Sequence, residues 1–336
     1  MKVFLTGGAG YIGTHILTAL LGRGWQACVF DNYSNSTPRA LERVRALAGR
    51  DFEAVEGDIT DPGQLRAALA AFRPDAVIHL AGLKAVGESA ADPLLYYRNN
   101  VHGTMTLLQA MTETGIGRIV FSSSATVYGV PHYVPHDEAH PLSPVNPYGR
   151  TKLFNEEIIR DWIVAGKGQS AVILRYFNPV GAHESGRIGE DPTGIPNNLM
   201  PFVSQVAVGR RAALDIFGDD YETRDGTGER DYIHVVDLAC AHLEALSHSA
   251  GHAGCDVFNI GTGQGATVLE LVRTYERVSG RAIPYRIAPR RAGDNAVSRA
   301  DPTRAQEVLG WRAERDLEDM CRSAWIWQSG NPEGYG

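Results

Sequence analysis

Val3-Phe4-Leu5-Thr6-Gly7-Gly8-Ala9-Gly10-Tyr11-Ile12-Gly13 decides the fold of this chain. An apolar run ends in glycines, and His15-Ile16-Leu17-Thr18-Ala19-Leu20-Leu21 then reads as a helix. Gly8, Gly10 and Gly13 spell G-x-G-x-x-G, while Gly7, Gly10 and Gly13 spell the G-x-x-G-x-x-G variant. Glycine lets the backbone turn sharply and approach a pyrophosphate, which the helix N-terminus then stabilises. Taken alone, the run also fits any tight strand-to-helix turn. A second strand, Ala27-Cys28-Val29-Phe30, ends at Asp31, 18 residues after Gly13. A carboxylate there accepts hydrogen bonds from an adenosine ribose and repels a 2′-phosphate, so the pattern predicts NAD over NADP. Arg39 is the nearby cation that argues for NADP, and Asp31 outweighs it.

The alternation continues outward from this unit. Phe52-Glu53-Ala54-Val55 precedes Gly57-Asp58-Ile59, where Asp58 is placed to meet an adenine. Ala76-Val77-Ile78-His79-Leu80 is a further strand, a helix is expected from about Asp92 to Thr114, and Arg118-Ile119-Val120-Phe121 leads into Ser122-Ser123-Ser124. Strands alternating with helices predict an α/β fold, a doubly wound parallel (Rossmann) sheet with ligands at the carboxyl ends of its strands. Asn146-Pro147 then opens a helix carrying Tyr148 and Lys152, four apart and so on one face. A free phenol has a pKa near 10, and bringing it to neutrality takes about 3 units, or roughly 4 kcal/mol. A neighbouring ammonium favours the phenolate. Ser124, at a strand end, can face Tyr148.

After Phe177 the chain becomes rich in Gly, Pro and Asn up to about Arg230, as a small substrate lobe would be. A helix near Val235 to Ala245 and the strand Val257-Phe258-Asn259-Ile260 return to the sheet, and Gly265 to Trp311 revisits the lobe. The predicted division is therefore interleaved: 1–177 with about 233–262 for the nucleotide domain, 178–232 and 265–336 for the smaller one. A last helix, about Asp316 to Gln328, carries Trp325 and Trp327, which packing explains better than a ligand.

The 336 residues are 43% hydrophobic and 21% charged, with 37 glycines and 17 prolines, and carry a net charge of −7. An acidic chain of this kind argues against nucleic acid as the main partner, so any anionic ligand must be held by a few placed arginines. Cys28, Cys240, Cys255 and Cys321 are scattered without C-x-x-C, which fits a reducing cytoplasm. No apolar run reaches membrane length, and glycines interrupt the apolar stretch after Met1-Lys2 that a signal peptide requires.

Thr6 to Gly13, Asn99-Asn100-Val101, Ser122 to Gly129 and Tyr148 to Lys152 together resemble the extended short-chain dehydrogenase/reductases. Ala81 to Ser89, Leu174 to Ala182, Gly194 to Pro201 and Asp225 to Val235 narrow the resemblance to members that epimerise UDP-sugars at carbon 4. That resemblance spans nearly the whole chain. It implies NAD as cofactor, a UDP-sugar as substrate and interconversion of UDP-glucose and UDP-galactose through a 4-keto sugar. Ser124, Tyr148 and Lys152 are the implied catalytic residues. Tyr148 would act as base, Lys152 would sustain its phenolate and bond the nicotinamide ribose, and Ser124 would relay the proton. The cofactor would lie along Gly7, Gly10, Tyr11, Ile12, Gly13, Asp31, Asn32, Asn35, Asp58, Ile59, Leu80, Ala81, Gly82, Lys84, Asn99, Ser122 and Tyr176, besides Tyr148 and Lys152. The substrate would meet Lys84, Ser124, Tyr148, Phe177, Asn178, Asn198, Leu199, Phe217, Arg230, Tyr232, Arg291, Asp294 and Ser298. Arg230 and Arg291 suit the pyrophosphate, because guanidinium forks match phosphate oxygens. A homodimer through helices near 92–114 and 148–165 is also implied.

One position departs from the pattern: many relatives place a tyrosine where this chain has Ser298. Serine leaves room beside the sugar's 2-substituent, so UDP-N-acetylglucosamine and UDP-N-acetylgalactosamine become expected substrates. Nucleotide-sugar 4,6-dehydratases and decarboxylases share the cofactor, Tyr148 and Lys152. The dehydratases carry an Asp-Glu pair after the active-site serine or threonine, where this chain has Ala125 and Thr126. A non-catalytic NAD-sensing protein on the same fold would typically lack the tyrosine or lysine. His132, His136 and His140 recur every four residues, yet Pro131, Pro135 and Pro141 forbid the helix that would align them. A solvated loop is expected there, and no metal site.

Overall fold

The computed structural model describes residues 1–166, 168–291 and 293–336. The glycine turn joins β1 (Lys2–Thr6) to the helix Tyr11–Gly22. Gly7 has φ +72°, and a Cβ there would stand 2.7 Å from Ala81 N. A Cβ on Gly13 would stand 2.5 Å from Gly7 O, so these two positions admit only glycine. β2 (Gln26–Asp31) and β3 (Glu53–Glu56) extend the sheet on one side of β1. The chain then crosses back to lay β4 (Ala76–His79), β5 (Arg118–Ser124) and β6 (Ser170–Tyr176) on the other side. The direction reverses between β1 and β4, and a crevice for ligands opens at such a switch point.

Every pairing in this sheet is parallel. Its central strands β1, β2, β4 and β5 are covered on both faces, which is why they read as largely apolar runs, whereas the edge strand β3 is mostly exposed. Phe4 points into a core with Phe30, Leu69, Leu107 and Ile159. Leu5, the next residue, points into the opposite core with Ile16, Leu20, Leu174 and Trp311.

The helix opened by Pro147 runs to Ala165, with Asn146 as its cap: the Asn146 side chain accepts from Gly149 N at 2.8 Å. Glu156, fully buried on that helix, takes a forked pair of hydrogen bonds from Arg175 on β6, at 3.0 and 2.6 Å. Ser123 on β5 donates to the same carboxylate at 2.5 Å. A buried pair with this geometry fixes the helix against both strands.

β7 (Asn178–Val180) leaves the sheet and pairs with β9 (Glu229–His234), while β8 (Leu214–Phe217) lies apart from it. After the helix Val235–Ser249, β10 (Gly254–Ile260) returns to the large sheet as its outer strand beside β6, as expected. β11 (Gly265–Thr267) and β13 (Val297–Ser298) then pair with β9, and β12 (Tyr285–Ala288) pairs with β8. A third core of Val180, Val203, Ile216, Tyr232, Leu271, Tyr275 and Met320 lies beneath these short strands. The last helix, Leu317–Gly330, starts at an Asp316–Asp319 capping box, and Trp327 packs in the core of the large sheet.

Two expectations need correction. The helix expected over 92–114 is continuous in extent but changes its winding: Tyr97–His102 is a π-helix between Pro93–Tyr96 and Gly103–Thr114. The stretch around His132, His136 and His140 is a loop, as expected, but only partly solvated: His132 is exposed, whereas His136 and His140 are not. The prolines do prevent a helix, but His136 N bonds Arg299 O at 2.8 Å and Asp301 N bonds His136 O at 2.7 Å. His136 and His140 are buried against the Tyr128 ring. His140 Nε2 accepts from His132 N at 3.0 Å and its Nδ1 lies 2.8 Å from Pro141 O, so both nitrogens are used in holding the loop.

Candidate active site

Tyr148 is the second residue of its helix and half-buried, with Lys152 one turn on and buried. The Lys152 ammonium donates to Ser122 O at 2.6 Å and lies 5.9 Å from the centre of the Tyr148 ring. Ser124 ends β5, and its hydroxyl accepts from Thr126 N at 3.2 Å and from Thr126 Oγ1 at 3.0 Å. The three catalytic candidates thus converge at the carboxyl end of β5.

Their electrostatics differ from the expectation. Burial pushes the Tyr148 phenol up to about 12, and the group that opposes this is the Ser124 hydroxyl, not Lys152. Burial also lowers Lys152 to about 8, with Glu156 one turn further on pulling the other way. The lysine donates to a strand carbonyl and stands 5.9 Å from the centre of the phenol ring, so the ammonium alone does not make Tyr148 a base. His79 beneath them is buried between Thr6 and Thr104 and held near 3, first by burial and then by Lys152. It stays neutral, and the lysine is the cation of this cluster.

On the nucleotide side, Gly10 caps its helix without a side-chain bond, so the N–H groups of the first turn face outward at the glycine turn. Asp31 accepts from Ala9 N and Tyr33 N, both at 2.9 Å, and from Ser36. Asn32 donates to Asp58 at 3.0 Å. Burial alone would raise Asp58, but the bonds from Thr60 and Asn32 outweigh it and hold the carboxyl below its usual range. A cradle where a Cβ at Gly7 or Gly13 would collide, ending in the side chains of Asp31 and Asp58, fits a dinucleotide. Leu80, Ala81 and Gly82 edge the crevice after β4, Asn99 lies in the π-helix, and Asn35 is exposed beyond β2. Two candidates offer only backbone here. The Ile59 side chain is in the core, and the buried Tyr176 hydroxyl bonds Ser122 Oγ at 2.6 Å and His242. Tyr11 reaches Gly181 O at 2.7 Å and so ties the glycine turn to the segment after β7.

Across the crevice, strand register brings several substrate candidates together. Asn178 faces Tyr232 and Ser298 faces Arg230. Arg230 donates to Glu229 O and Asn295 O at 2.8 and 2.9 Å, while Tyr232 is buried in the third core. Arg291 lies over the Phe217 ring at 4.7 Å and pairs with Asp294 at 2.9 Å. Phe177 packs with Val127, Tyr128 and Ala300. Leu199 opens the helix Leu199–Ala207 after Asn198.

Two residues escaped the sequence reading. Asn100 clasps Leu83 by both its N–H and C=O, at 2.8 and 3.0 Å, and donates to Thr151 at 3.1 Å. It pins the loop after β4 to the Tyr148 helix, and the π-helix positions its amide. Glu190 accepts from Lys84 at 3.1 Å and from Asn198 at 2.9 Å, bridging two ligand candidates 114 residues apart. Asn100 stands inside a quoted motif and could have been singled out. Nothing in the spacing of Glu190 announces it.

The parallel sheet, the glycine turn and the Ser-Tyr-Lys cluster define a short-chain dehydrogenase/reductase of the extended type. A family profile described as GDP-mannose 4,6 dehydratase matches residues 4–324. UDP-glucose 4-epimerase of Bacillus subtilis is 55% identical over all of this chain and 99% of its own length. The Homo sapiens UDP-glucose 4-epimerase is also 55% identical, over all of this chain and 98% of its own. The crystal structure of UDP-glucose 4-epimerase from Bifidobacterium longum in complex with NAD+ and UDP is 50% identical, with a TM-score of 0.96 over 99% of this chain and all of that one. The chain belongs to the UDP-glucose 4-epimerase family and is an isomerase.

The electrostatics give a stability prediction. The folded Lys152 pKa of about 8 lies below its ordinary 10.5, so between those values the unfolded chain holds the proton more tightly and stability rises with pH. Below pH 8 the full cost of the buried charge is present, about 3 kcal/mol at most. In cofactor-free protein, Lys152→Met is expected to be the more stable form at pH 7 by denaturant titration, with the advantage shrinking toward pH 10.5. An advantage that stays constant from pH 7 to 10 contradicts the assignment.

Proposed function

We propose that this chain interconverts UDP-glucose and UDP-galactose by inverting carbon 4 of the sugar, with NAD as a bound catalyst regenerated each turnover. The observation that carries this reading is the convergence of Ser124, Tyr148 and Lys152 beside a glycine turn shaped for a dinucleotide. When bound, NAD would supply the acceptor and donor of the carbon-4 hydride and add positive charge to the site. Tyr148 accepts the 4-hydroxyl proton during oxidation and returns it on reduction. Ser124, whose hydroxyl pulls the phenol's pKa down, relays that proton. Lys152, anchored on Ser122 O, adds fixed positive charge and would bond the nicotinamide ribose.

Inversion at one centre requires the 4-keto sugar to turn over inside the site. The nucleotide must then be gripped firmly and the sugar loosely. Arg230 and Arg291 hold the pyrophosphate, with Asn178, Asn198, Leu199, Phe217, Tyr232 and Asp294 around the UDP portion. Residues 1–177 with 233–262 carry NAD in this reading, and 178–232 with 265–336 carry the sugar nucleotide. Ser298, half-buried opposite Arg230, leaves room for a 2-acetamido group, so the acetylated pair are substrates as well.

Elimination is disfavoured despite the name of the matching family profile, because Ala125 and Thr126 bring no titratable proton beside Ser124. Among the described residues no helix is long and apolar enough to cross a membrane, and all four cysteines are free thiols, which fits the cytoplasm. A homodimer is proposed because Leu94, Met105, Phe154 and Val164 are exposed on the helices expected to meet a second copy.

Purified protein without added NAD, incubated in parallel with UDP-galactose and UDP-N-acetylgalactosamine, is expected to yield the matching gluco sugars. Ser298→Tyr should lose the acetylated pair and keep the plain one. A stable 4-keto-6-deoxy product, or nucleotide sugars bound but never interconverted, would overturn the reading. Sedimentation at micromolar protein is expected to give a dimer that Phe154→Asp weakens; a monomeric parent contradicts that part.

A further inference from the structure

A second cluster lies away from the crevice, at the outer edge of the large sheet. His248 is in the last turn of the helix Val235–Ser249, and His252 follows four residues later. Asp256 is the third residue of β10. Both imidazoles turn Nε2 toward one oxygen: His248 stands 2.9 Å and His252 3.1 Å from Asp256 Oδ2. Their rings lie 5.1 Å apart at 26°. Arg304 takes the other Asp256 oxygen at 2.7 Å, and the His248 ring is held edge-on by Phe258. Among the described residues this is the one place where three His, Cys, Asp or Glu donors come within 4.8 Å of one another.

We propose that His248, His252 and Asp256 form a binding site for a divalent transition metal of the zinc class, with solvent in the fourth position. Zinc bonds of about 2.0–2.1 Å to imidazole and carboxylate place tetrahedral ligand atoms about 3.4 Å apart. The two observed separations need to open by only a few tenths of an ångström to meet that. Two imidazoles and one carboxylate select zinc, cobalt or nickel over magnesium or calcium, which require several oxygens. Two of the donors sit on regular elements, a helix and an edge strand. Arg304 steadies the carboxylate by its second oxygen, as outer partners do in metal sites. The cluster is separate from the epimerisation site. Asp256 pairs with Val172, and Tyr176 at the crevice end of β6 is four residues further along, about 13 Å at strand rise. The site departs from the expectation that this chain holds no metal, which rested on the His132–His140 stretch.

The test is calorimetric titration of the chelator-treated full chain with zinc chloride, together with cobalt(II) absorption and the thermal midpoint. One equivalent of zinc is expected to bind the parent and raise its midpoint. His252→Ala removes a half-exposed ligand just beyond the helix, and Asp256→Asn removes the carboxylate charge. Each is expected to weaken zinc at least tenfold and to abolish the midpoint shift. Absence of zinc binding in the parent, or equal binding in the parent and both variants, overturns the proposal.

Discussion

A lysine ammonium buried 2.6 Å from a strand carbonyl is the constraint on which this site depends. Holding a charge there costs free energy, and burial lowers its pKa to about 8 as the mark of that cost. Three features keep the amine in place. β5 ends in serines whose backbone meets it, Pro147 and Asn146 fix where its helix begins, and the Arg175–Glu156 pair clamps that helix to β6 one turn beyond. Glu156 also adds negative charge near the amine without touching it, which keeps Lys152 from falling further. Removing one partner of such a buried pair typically costs about 3–5 kcal/mol, so the clamp is expensive to lose. The phenol beside the amine is a poor base in the protein's own field, because loss of water outweighs the help of Ser124. The chain therefore supplies position in the proposed mechanism, and an oxidised nicotinamide, when bound, would add the positive charge that the phenol lacks.

Much of this was legible in the sequence because it is local. The glycine turn follows from sterics within a few residues: Gly7 and Gly13 have no room for a Cβ, and a strand, a helix and Asp31 follow at fixed spacing. The strand order follows from βαβ alternation, since each apolar run buried on both faces must join one parallel sheet. Tyr148 and Lys152 at helical spacing after an Asn-Pro start gave the face of the helix, and the return of Val257–Ile260 to the sheet was visible as an apolar run after a helix.

What escaped depends on contacts far apart in the chain. The π-helix Tyr97–His102 carries the Asn100 amide to Leu83 and Thr151, and no periodicity in that stretch announces the wider winding. Glu190 joins Lys84 to Asn198 across the crevice, a contact that only the folded chain creates. The histidines after Pro131 were read as solvated because prolines and charges surround them. Backbone bonds of His136 to Arg299 and Asp301, from the far end of the chain, bury it with His140 beside it, while His132 stays exposed. The direction of the Tyr148 shift escapes for the same reason: a charge four residues away is visible in the sequence, and the depth of burial is not.

The central claim is that the Tyr148 hydroxyl carries the proton of the sugar's 4-hydroxyl. The direct measurement is the rate of UDP-galactose conversion by Tyr148→Phe, with NAD and UDP-sugar binding measured on the same preparation. The account predicts a fall of roughly 10²–10⁴-fold, the usual share of a positioned acid-base group, with both ligands still bound. Conversion at the parental rate would contradict it.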